Sequence, residues 1–272
     1  MHLKDIDWNK LWQEARRQKS WKKKGKKDWD ARAASFAKRN SDSSYADRFL
    51  QLIKPEPHWR VLDIGCGPGT LALPLAAKVK AVTAIDFSPA MLHELEKRAA
   101  EQGIFNIATI QACWTDDWRQ LSIPVHEVVI SSRSLSVSDL KSALEKMNAW
   151  ATEKVFIADR VGSGPFDPEL FAAVGRPFDP GPDYIFTVNL LYQMGIHPKI
   201  DYIEHDQRKT FATRDDALAS CRWMFDDLSP ADEVRLAAYV DERLEHNEAG
   251  TCNLRRNTRV KWALLSWEKR TV

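Results

Sequence analysis

Three glycines spaced two residues apart stand between a short apolar stretch near residue 60 and a second apolar stretch that ends in an acid. Gly65, Gly67 and Gly69 predict a turn in which the backbone takes positive φ and lies close to a ligand. Residues 81–85 are typical of a buried strand, and Asp86 follows at its tip. An acid about 20 residues beyond a glycine turn is placed to bind two ribose hydroxyls. The sequence therefore predicts a nucleoside-cofactor site at the carboxyl ends of parallel strands.

Asp63, two residues before the first glycine, indicates which cofactor the turn binds. Nicotinamide and flavin folds bind a pyrophosphate at the helix N-terminus, where an adjacent carboxylate would repel that anion. Thr70 also stands where the third glycine of a dinucleotide motif would fall. An acid at the turn instead suits a ligand that carries an ammonium group and no phosphate. The alternative interpretation is a chance acid beside an ordinary α/β turn.

Residues 63–69 closely resemble motif I of the class I S-adenosylmethionine-dependent methyltransferases, and residues 86–91 are similar to the family's second-strand signature. The resemblance is specific over about residues 45–160 and extends to the remainder only in layout. It implies an α/β fold with a doubly wound, Rossmann-like sheet of seven strands, mostly parallel with the last strand antiparallel. It also implies S-adenosylmethionine as cofactor and S-adenosylhomocysteine as product. The implied cofactor-binding residues of the two motifs are Asp63, Gly65, Cys66, Gly67, Gly69, Asp86, Phe87, Ser88 and Met91.

Five further residues are cofactor candidates because of where they fall in the same layout. Tyr45, at the start of a predicted helix, could reach the methionine end of the cofactor or be a packing tyrosine. Cys113, Trp114 and Thr115 follow a predicted third strand, where the family usually has an acid or polar residue against the adenine amino group. Trp114 would stack on the purine or pack against the next helix. Ser131 follows the fourth predicted strand, residues 125–130.

The segment after that fourth strand normally lines the methyl-transfer site in this family. Its sequence, Ser-Ser-Arg-Ser, lacks the (N/D)-P-P-(Y/F) pattern of enzymes that methylate base amines, and no nucleophilic Pro-Cys is present. Arg133 could bind a carboxylate or phosphate of the substrate, or form a salt bridge with a loop acid. Asp159, Tyr184 and His197 are candidate general bases by residue type alone.

The predicted organisation is a helical N-terminal cap over residues 1–58 followed by a methyltransferase domain over residues 59–272. Residues 161–198 combine glycines, prolines and aromatics, and predict a lid over the substrate pocket with one helix near residues 184–194. Ser138, Thr213 and Ser229 are predicted to cap later helices. The last predicted strand spans residues 259–267.

Composition excludes several other classes of protein. A hydrophobic fraction of 44% over 272 residues can bury a core, while no apolar run is long enough to cross a bilayer. The first residues lack the apolar stretch of a signal peptide, and the four cysteines show neither a C-x-x-C nor a metal-binding spacing. We therefore expect a cytoplasmic protein with reduced thiols and no metal site. The sequence gives no indication of the oligomeric state.

The acceptor is less constrained by the sequence than the cofactor. We expect a small-molecule acceptor that attacks the sulfonium methyl group in line. Six lysines within positions 19–27 could instead bind RNA, although such a run is more often a solvated, mobile connector. The alternatives are thus an RNA methyltransferase, a non-catalytic cofactor-binding module and, last, an NAD(P)-dependent oxidoreductase.

Overall fold

The computed structural model describes residues 5–20, 24–39, 44–205, 209–247, 250–257 and 259–269. The strands of its main sheet are β1 Arg60–Ile64, β2 Ala81–Asp86, β3 Ile107–Gln111, β4 His126–Ser132, β5 Ala151–Arg160, β6 Lys199–His205 and β10 Val260–Glu268. They are ordered β3-β2-β1-β4-β5-β10-β6, and β10 is antiparallel to both of its neighbours. β1 to β5 pair in parallel, which makes β6 parallel to them as well. The predicted seven-stranded, doubly wound sheet is confirmed.

Helices cover both faces of this sheet and extend beyond it. Their bounds are α1 Trp8–Gln18, α2 Lys26–Arg39, α3 Ser44–Ile53, α4 Ala72–Ala76, α5 Pro89–Glu101, α6 Leu140–Trp150, α7 Pro168–Val174, α8 Tyr184–Gln193, α9 Arg214–Arg222 and α10 Pro230–Arg243. None of the described helices combines the length and apolar character that a membrane span requires.

The caps show how local sequence sets the helix starts. Thr213 and Ser229 cap α9 and α10 as predicted, each within a capping box, and Ser88 caps α5 with Pro89 in its first turn. For α6 the predicted cap, Ser138, is wrong. Asp139 is the cap, because its Oδ1 accepts a hydrogen bond of 2.9 Å from the backbone N–H of residue 142.

β4 extends beyond its predicted end at residue 130, and β5 also ends in polar residues. β4 ends at Ser132, so that Ser131 and Ser132 belong to the strand tip and do not follow it. β5 continues to Arg160 because Asp159 and Arg160 pair with residues 263 and 262 of β10. Pairing with a strand distant in sequence left no local signal for this extension.

Two apolar layers sandwich the main sheet. α3, α4 and α5 contribute to the first layer, in which Tyr45, Phe49 and Trp59 are among the fully buried side chains. α1, α6 and α8 contribute to the second layer. There Trp12 is buried and its Nε1 donates a hydrogen bond of 2.9 Å to the carbonyl oxygen of Val137. The N-terminal helices are therefore distributed between both faces of the sheet.

A third apolar cluster lies outside the main sheet and was not predicted. Three short strands, β7 Lys209–Phe211, β8 Leu244–His246 and β9 Cys252–Leu254, form a second sheet in the order β7-β9-β8. Side chains of this sheet pack with those of α7, α9 and α10 around Phe171 and Leu236. We call this unit the accessory cluster. The predicted lid is divided, since α7 packs in the accessory cluster and α8 against the main sheet.

Candidate functional site

The glycine turn after β1 leaves one side of its backbone open. Gly65, Gly67 and Gly69 have φ values of 70°, 54° and 85°, in the left-handed region that glycine adopts without strain. A Cβ on Gly65 would lie 2.4 Å from the Cβ of Ser134, and one on Gly69 would lie 2.4 Å from Cδ1 of Leu95. At Gly67 no described atom lies within 4 Å of a built Cβ. Gly65 and Gly69 are thus required for packing, whereas Gly67 faces open space.

Asp86, at the tip of β2, connects the turn to the start of α5. Its Oδ2 accepts a hydrogen bond of 2.9 Å from the N–H of Gly67, and its Oδ1 accepts one of 2.9 Å from the N–H of Ser88. Burial raises the pKa of this carboxyl group, backbone donors oppose the rise, and the nearby Asp30 adds to it. A carboxylate has about four acceptor positions, so two remain for a ligand.

Asp63 is buried at the carboxyl end of β1 with only 2% of its surface exposed. Its Oδ2 has no hydrogen-bond partner among the residues that the structure describes. Burial, and secondarily the charge of Asp86, raises the pKa of Asp63 to about 7. A buried carboxylate oxygen without a donor is costly, and a cationic ligand would relieve that cost.

Cys66 lies in the turn but is suited to packing more than to chemistry. Its side chain is buried in the first apolar layer, and its thiol donates weakly to the carbonyl oxygen of Gly67 at 3.4 Å. Burial, with the charges of Asp63 and Asp86, raises the pKa of the thiol well above its ordinary value. A thiol that stays protonated is a poor nucleophile.

Tyr45 on α3 reaches the tip of β4, on the other side of the turn. Its Oη shares a hydrogen bond of 2.6 Å with Oγ of Ser132, and 1% of the residue is exposed. Burial raises the pKa of Tyr45, Arg133 and Ser132 oppose the rise, and the charge of Asp63 adds to it. The guanidinium of Arg133 lies 4.3 Å from the centre of the Tyr45 ring. Tyr45, Asp63, Ser132 and Arg133 therefore form one cluster.

Ser131 is fully buried beside this cluster and holds the segment that follows β4. Its hydroxyl shares a hydrogen bond of 2.7 Å with Oγ of Ser134, which donates to the carbonyl oxygen of Ile64 at 2.6 Å. These bonds fix the segment against the end of β1 and against Gly65.

The residues that follow β3 form hydrogen bonds with one another. Asp116 accepts hydrogen bonds from the N–H of Cys113 at 2.8 Å and from its Sγ at 3.0 Å, and Thr115 lies 3.1 Å from the same sulfur. Trp114 packs beside Trp118, and its Nε1 donates to the carbonyl oxygen of Ser134 at 3.2 Å. Trp114 thus packs in the second layer and also bridges to the segment after β4.

Three of the four catalytic candidates lie away from the turn. Asp159 faces α8, where Thr187 donates to it at 3.2 Å, and burial raises its pKa to about 6. Tyr184 shares a hydrogen bond of 3.0 Å with Tyr202 of β6, the other edge strand of the sheet, and that bond raises its pKa to about 12. His197 precedes β6 and therefore lies at the amino ends of the parallel strands, opposite the turn. Only Arg133 joins the cluster at the turn.

The structure adds three residues that the sequence did not single out. Asp30 of α2 accepts a hydrogen bond of 2.5 Å from Oγ of Ser88, beside Asp86. Ser134 packs against Gly65, and Trp262 of β10 lies 6.3 Å from Tyr45 between ring centres. Ser134 falls in the segment after β4, which the sequence already marked as lining the site. Asp30 and Trp262 had no sequence signal, because only tertiary packing brings their elements to the turn.

A separate cavity of about 290 Å³ lies at the edge of the accessory cluster. Its lining includes Ser20, Phe171, Arg176 and Phe225, and none of its lining residues belongs to the glycine turn or to a strand tip of the main sheet.

No group of three His, Cys, Asp or Glu side chains among the described residues could hold a metal ion.

Comparison with known proteins identifies the family. A family described as a methyltransferase domain matches residues 61–153, which span the glycine turn, Asp86 and the tip of β4. A solved putative methyltransferase from Bacillus halodurans shares the fold, with a TM-score of 0.56 and 13% identity over 84% of this chain and all of that one. The matched stretch is a methyltransferase domain, and the chain is an S-adenosylmethionine-dependent methyltransferase.

Three relatives in sequence match this methyltransferase over different shares of its length. A protein of Haemophilus influenzae, to which no function is given, is 34% identical over 88% of both chains. Aklanonic acid methyltransferase DauC of a Streptomyces species is 32% identical over 49% of this chain and 58% of its own. A 23S rRNA uracil C5-methyltransferase of Pseudomonas entomophila is 38% identical over only 23% of this chain.

S-adenosylmethionine is the methyl donor of this family, and three observations around the turn fit it. Gly67 faces open space, which permits a close approach to the backbone. The buried Oδ2 of Asp63 lacks a donor, which the ammonium group of the methionine moiety can supply. Asp86 keeps acceptor positions for two ribose hydroxyls.

Proposed function

We propose that this methyltransferase transfers the methyl group of S-adenosylmethionine to a small-molecule acceptor. The enclosure of the cluster around Tyr45 carries this proposal. Tyr45 and Asp63 of this cluster are 1% and 2% exposed, Ser131 beside them is fully buried, and Ser132 and Arg133 are half-buried. A methyl-transfer end that lies this deep in the protein is easier for a small acceptor to reach than for a macromolecule, because small-molecule sites bury most of their ligand. A base presented by an RNA needs a groove open to the backbone on either side.

In this proposal the ribose end of the cofactor is bound at β2. Asp86 accepts hydrogen bonds from both ribose hydroxyls while keeping its bonds to Gly67 and Ser88. Phe87, half-buried after the strand, offers an apolar surface to the adenine, and Met91 is buried in the first turn of α5. Cys113 and Thr115 lie at the adjacent tip of β3, although Asp116 already engages the Cys113 sulfur.

The methionine end would be bound between β1 and β4. Asp63 pairs with the ammonium group there, and Tyr45 and Ser132 border the transferred methyl group. Bound S-adenosylmethionine supplies an already activated methyl group. The chain therefore contributes chiefly position and exclusion of water, effects that can each supply several kcal/mol. We assign no general base, since the three candidates contact residues away from the cluster. Asp159 bonds to Thr187, Tyr184 bonds to Tyr202, and His197 packs against Tyr192.

Two findings favour a small acceptor over RNA. The match to aklanonic acid methyltransferase, whose name gives a small organic acid, spans more of the chain than the match to the rRNA enzyme. The lysine run is also in part structural. Lys26 and Lys27 begin α2, and Lys24 lies 4.0 Å from the Trp223 ring centre, so these residues are not the mobile connector that we expected. Lys22 and Lys23 lie outside the described residues.

A labelling experiment tests the proposal directly. The protein is incubated with methyl-labelled S-adenosylmethionine and, separately, with the small-molecule, RNA and protein fractions of cells that encode it. We expect label in the small-molecule fraction, at a rate that an unlabelled excess of S-adenosylhomocysteine suppresses. Label that enters only RNA, and that depends on Lys26 and Lys27, would establish the RNA methyltransferase instead.

A further inference from the structure

Arg133 is a cation without an acid partner at the methyl-transfer end of the site. Its φ of 60° is unusual for a side chain of this size, and its N–H donates to the carbonyl oxygen of Ala158 at 2.8 Å. Strained backbone of this kind persists where the surroundings fix it, often at functional sites. Among the described residues no Asp or Glu oxygen lies within 4.0 Å of its guanidinium. The second alternative for Arg133, a salt bridge to a loop acid, is therefore not formed among the described residues.

Two aromatic rings flank this guanidinium instead of an acid. Its Cζ lies 4.3 Å from the centre of the Tyr45 ring and 5.7 Å from that of Trp262. Trp262 is 6% exposed, and its buried Nε1 has no acceptor among the described residues. A buried N–H without an acceptor is destabilising and is rare in native structures. The Arg133 guanidinium and the Trp262 Nε1–H, which can only donate hydrogen bonds, thus lie close together. Neither has a carboxylate partner among the described residues.

The position of this pair separates it from the cofactor end of the site. Asp86 is on β2 and the glycine turn follows β1, whereas Arg133 follows β4 and bonds to β5. Trp262 is on β10, beyond β5 in the sheet order. The pair therefore lies on the side of Tyr45 that is remote from the ribose acid, where the acceptor meets the methyl group.

We propose that Arg133, with Trp262, binds a carboxylate of the methyl acceptor, so that the substrates are small carboxylic acids. This inference rests on the proposed function. A guanidinium can donate two parallel hydrogen bonds to a carboxylate, and the Tyr45 ring holds its plane in place. A phosphate dianion fits less well, because Asp63, Asp86 and Asp30 already make the cleft acidic and one guanidinium supplies a single positive charge.

The test uses benzoate and its neutral analogue benzamide as probes on protein saturated with S-adenosylhomocysteine. We expect benzoate to bind more tightly than benzamide, and Arg133→Gln to weaken benzoate about ten- to hundred-fold with benzamide unchanged. Trp262→Phe keeps the ring but removes the N–H, and should weaken benzoate several-fold. Arg119→Gln, an exposed arginine elsewhere, is the matched control and should change neither affinity.

Separate titrations of S-adenosylhomocysteine and 5′-methylthioadenosine into Arg133→Gln test whether Arg133 binds the cofactor and not the acceptor. We expect both affinities to match wild type. Loss of S-adenosylhomocysteine affinity alone would show that Arg133 binds the methionine carboxylate, which overturns the inference. A benzoate preference that is absent, or that survives Arg133→Gln, overturns it as well. If wild type fails to bind S-adenosylhomocysteine at all, the proposed function itself fails, whatever Arg133 does.

Discussion

At the scale of single residues, we expect the ionisation of Asp63 to link both stability and cofactor binding to pH. Burial raises its pKa from 3.8 to about 7 in the folded chain, whereas the unfolded chain keeps the ordinary value. Between these values the folded state binds more protons, so this residue makes stability fall as pH rises from about 4 to about 7. The loss is on the order of a few kcal/mol, because a tenfold change in proton affinity between the folded and unfolded chain corresponds to about 1.4 kcal/mol.

Cofactor affinity should change in the opposite direction, because in the proposed site the ammonium group pairs with ionised Asp63. We predict that S-adenosylhomocysteine binds about tenfold more weakly at about pH 5.5 than at about pH 7.5. Asp63→Asn should bind weakly with no such pH dependence, and should be more stable than wild type above about pH 7. Calorimetric titration and thermal melting across this range measure both effects. Equal affinity of wild type at both ends of the range would contradict the pairing.

The sequence predicted the acids of the site better than their partners. Asp63 and Asp86 were recognisable because their spacing from the glycines is a local pattern. Trp262 and Asp30 were not, since β10 and α2 reach the turn only through tertiary packing. His197 was chosen by residue type, and a type alone does not reveal on which edge of a sheet a residue lies.

At the scale of elements, α2 connects the cofactor end of the main sheet to the accessory cluster. Ala33 and Ala37 are buried, and Asp30 bonds to the cap of α5. Toward the accessory cluster, Arg32 lies 3.9 Å from the centre of the Trp223 ring, just beyond α9. The N-terminal half of α2 is thus held on two sides, by a hydrogen bond to the cap of α5 and by a cation–π contact with Trp223.

This arrangement predicts different effects for the basic residues of α2 and its approach. Lys24→Gln with Arg32→Gln removes two cation–π contacts, each worth roughly 0.5–2 kcal/mol, and should lower Tm by several degrees. Lys26→Gln with Lys27→Gln is the matched control, because both lysines are exposed, and should leave Tm nearly unchanged. Differential scanning calorimetry compares the two pairs. Equal Tm values would mean that α2 is not fixed through Trp223.

Element starts were predictable where a cap or proline marks them, as for α5, α9 and α10. Strand ends were less so. Ser131 and Ser132 looked like loop residues because of their type, yet the register with β5 keeps them in the sheet. For α6, Ser138 and Asp139 are both good caps, and the sequence does not distinguish adjacent candidates.

At the scale of the whole molecule, the main sheet could be predicted and the accessory cluster could not. Parallel strands alternating with helices leave a regular pattern of apolar segments. The strands of the accessory sheet have three residues each, too few to show alternation. Buried contacts across long sequence separations hold the cluster together, such as the 2.6 Å hydrogen bond from Tyr239 to Asp167. The two helices within the predicted lid, α7 and α8, pack in different cores.

We propose that this turn binds S-adenosylmethionine with its ribose on Asp86. Calorimetric titration of S-adenosylhomocysteine into wild type, Asp86→Ala and Asp201→Ala tests it most directly. Asp201, on β6 at the other edge of the sheet, is the matched acid. Asp86→Ala also removes acceptors from Gly67 and Ser88, so its Tm should fall, and binding is measured below that Tm.

We predict that wild type and Asp201→Ala bind S-adenosylhomocysteine alike and that wild type gives no heat with NADH. Asp86→Ala should bind about ten- to several-hundred-fold more weakly, because two charge-assisted hydrogen bonds worth roughly 1.5–3 kcal/mol each are lost and partly replaced by water. A binding curve for folded Asp86→Ala that overlays wild type, or heat with NADH and none with S-adenosylhomocysteine, would contradict the site described here.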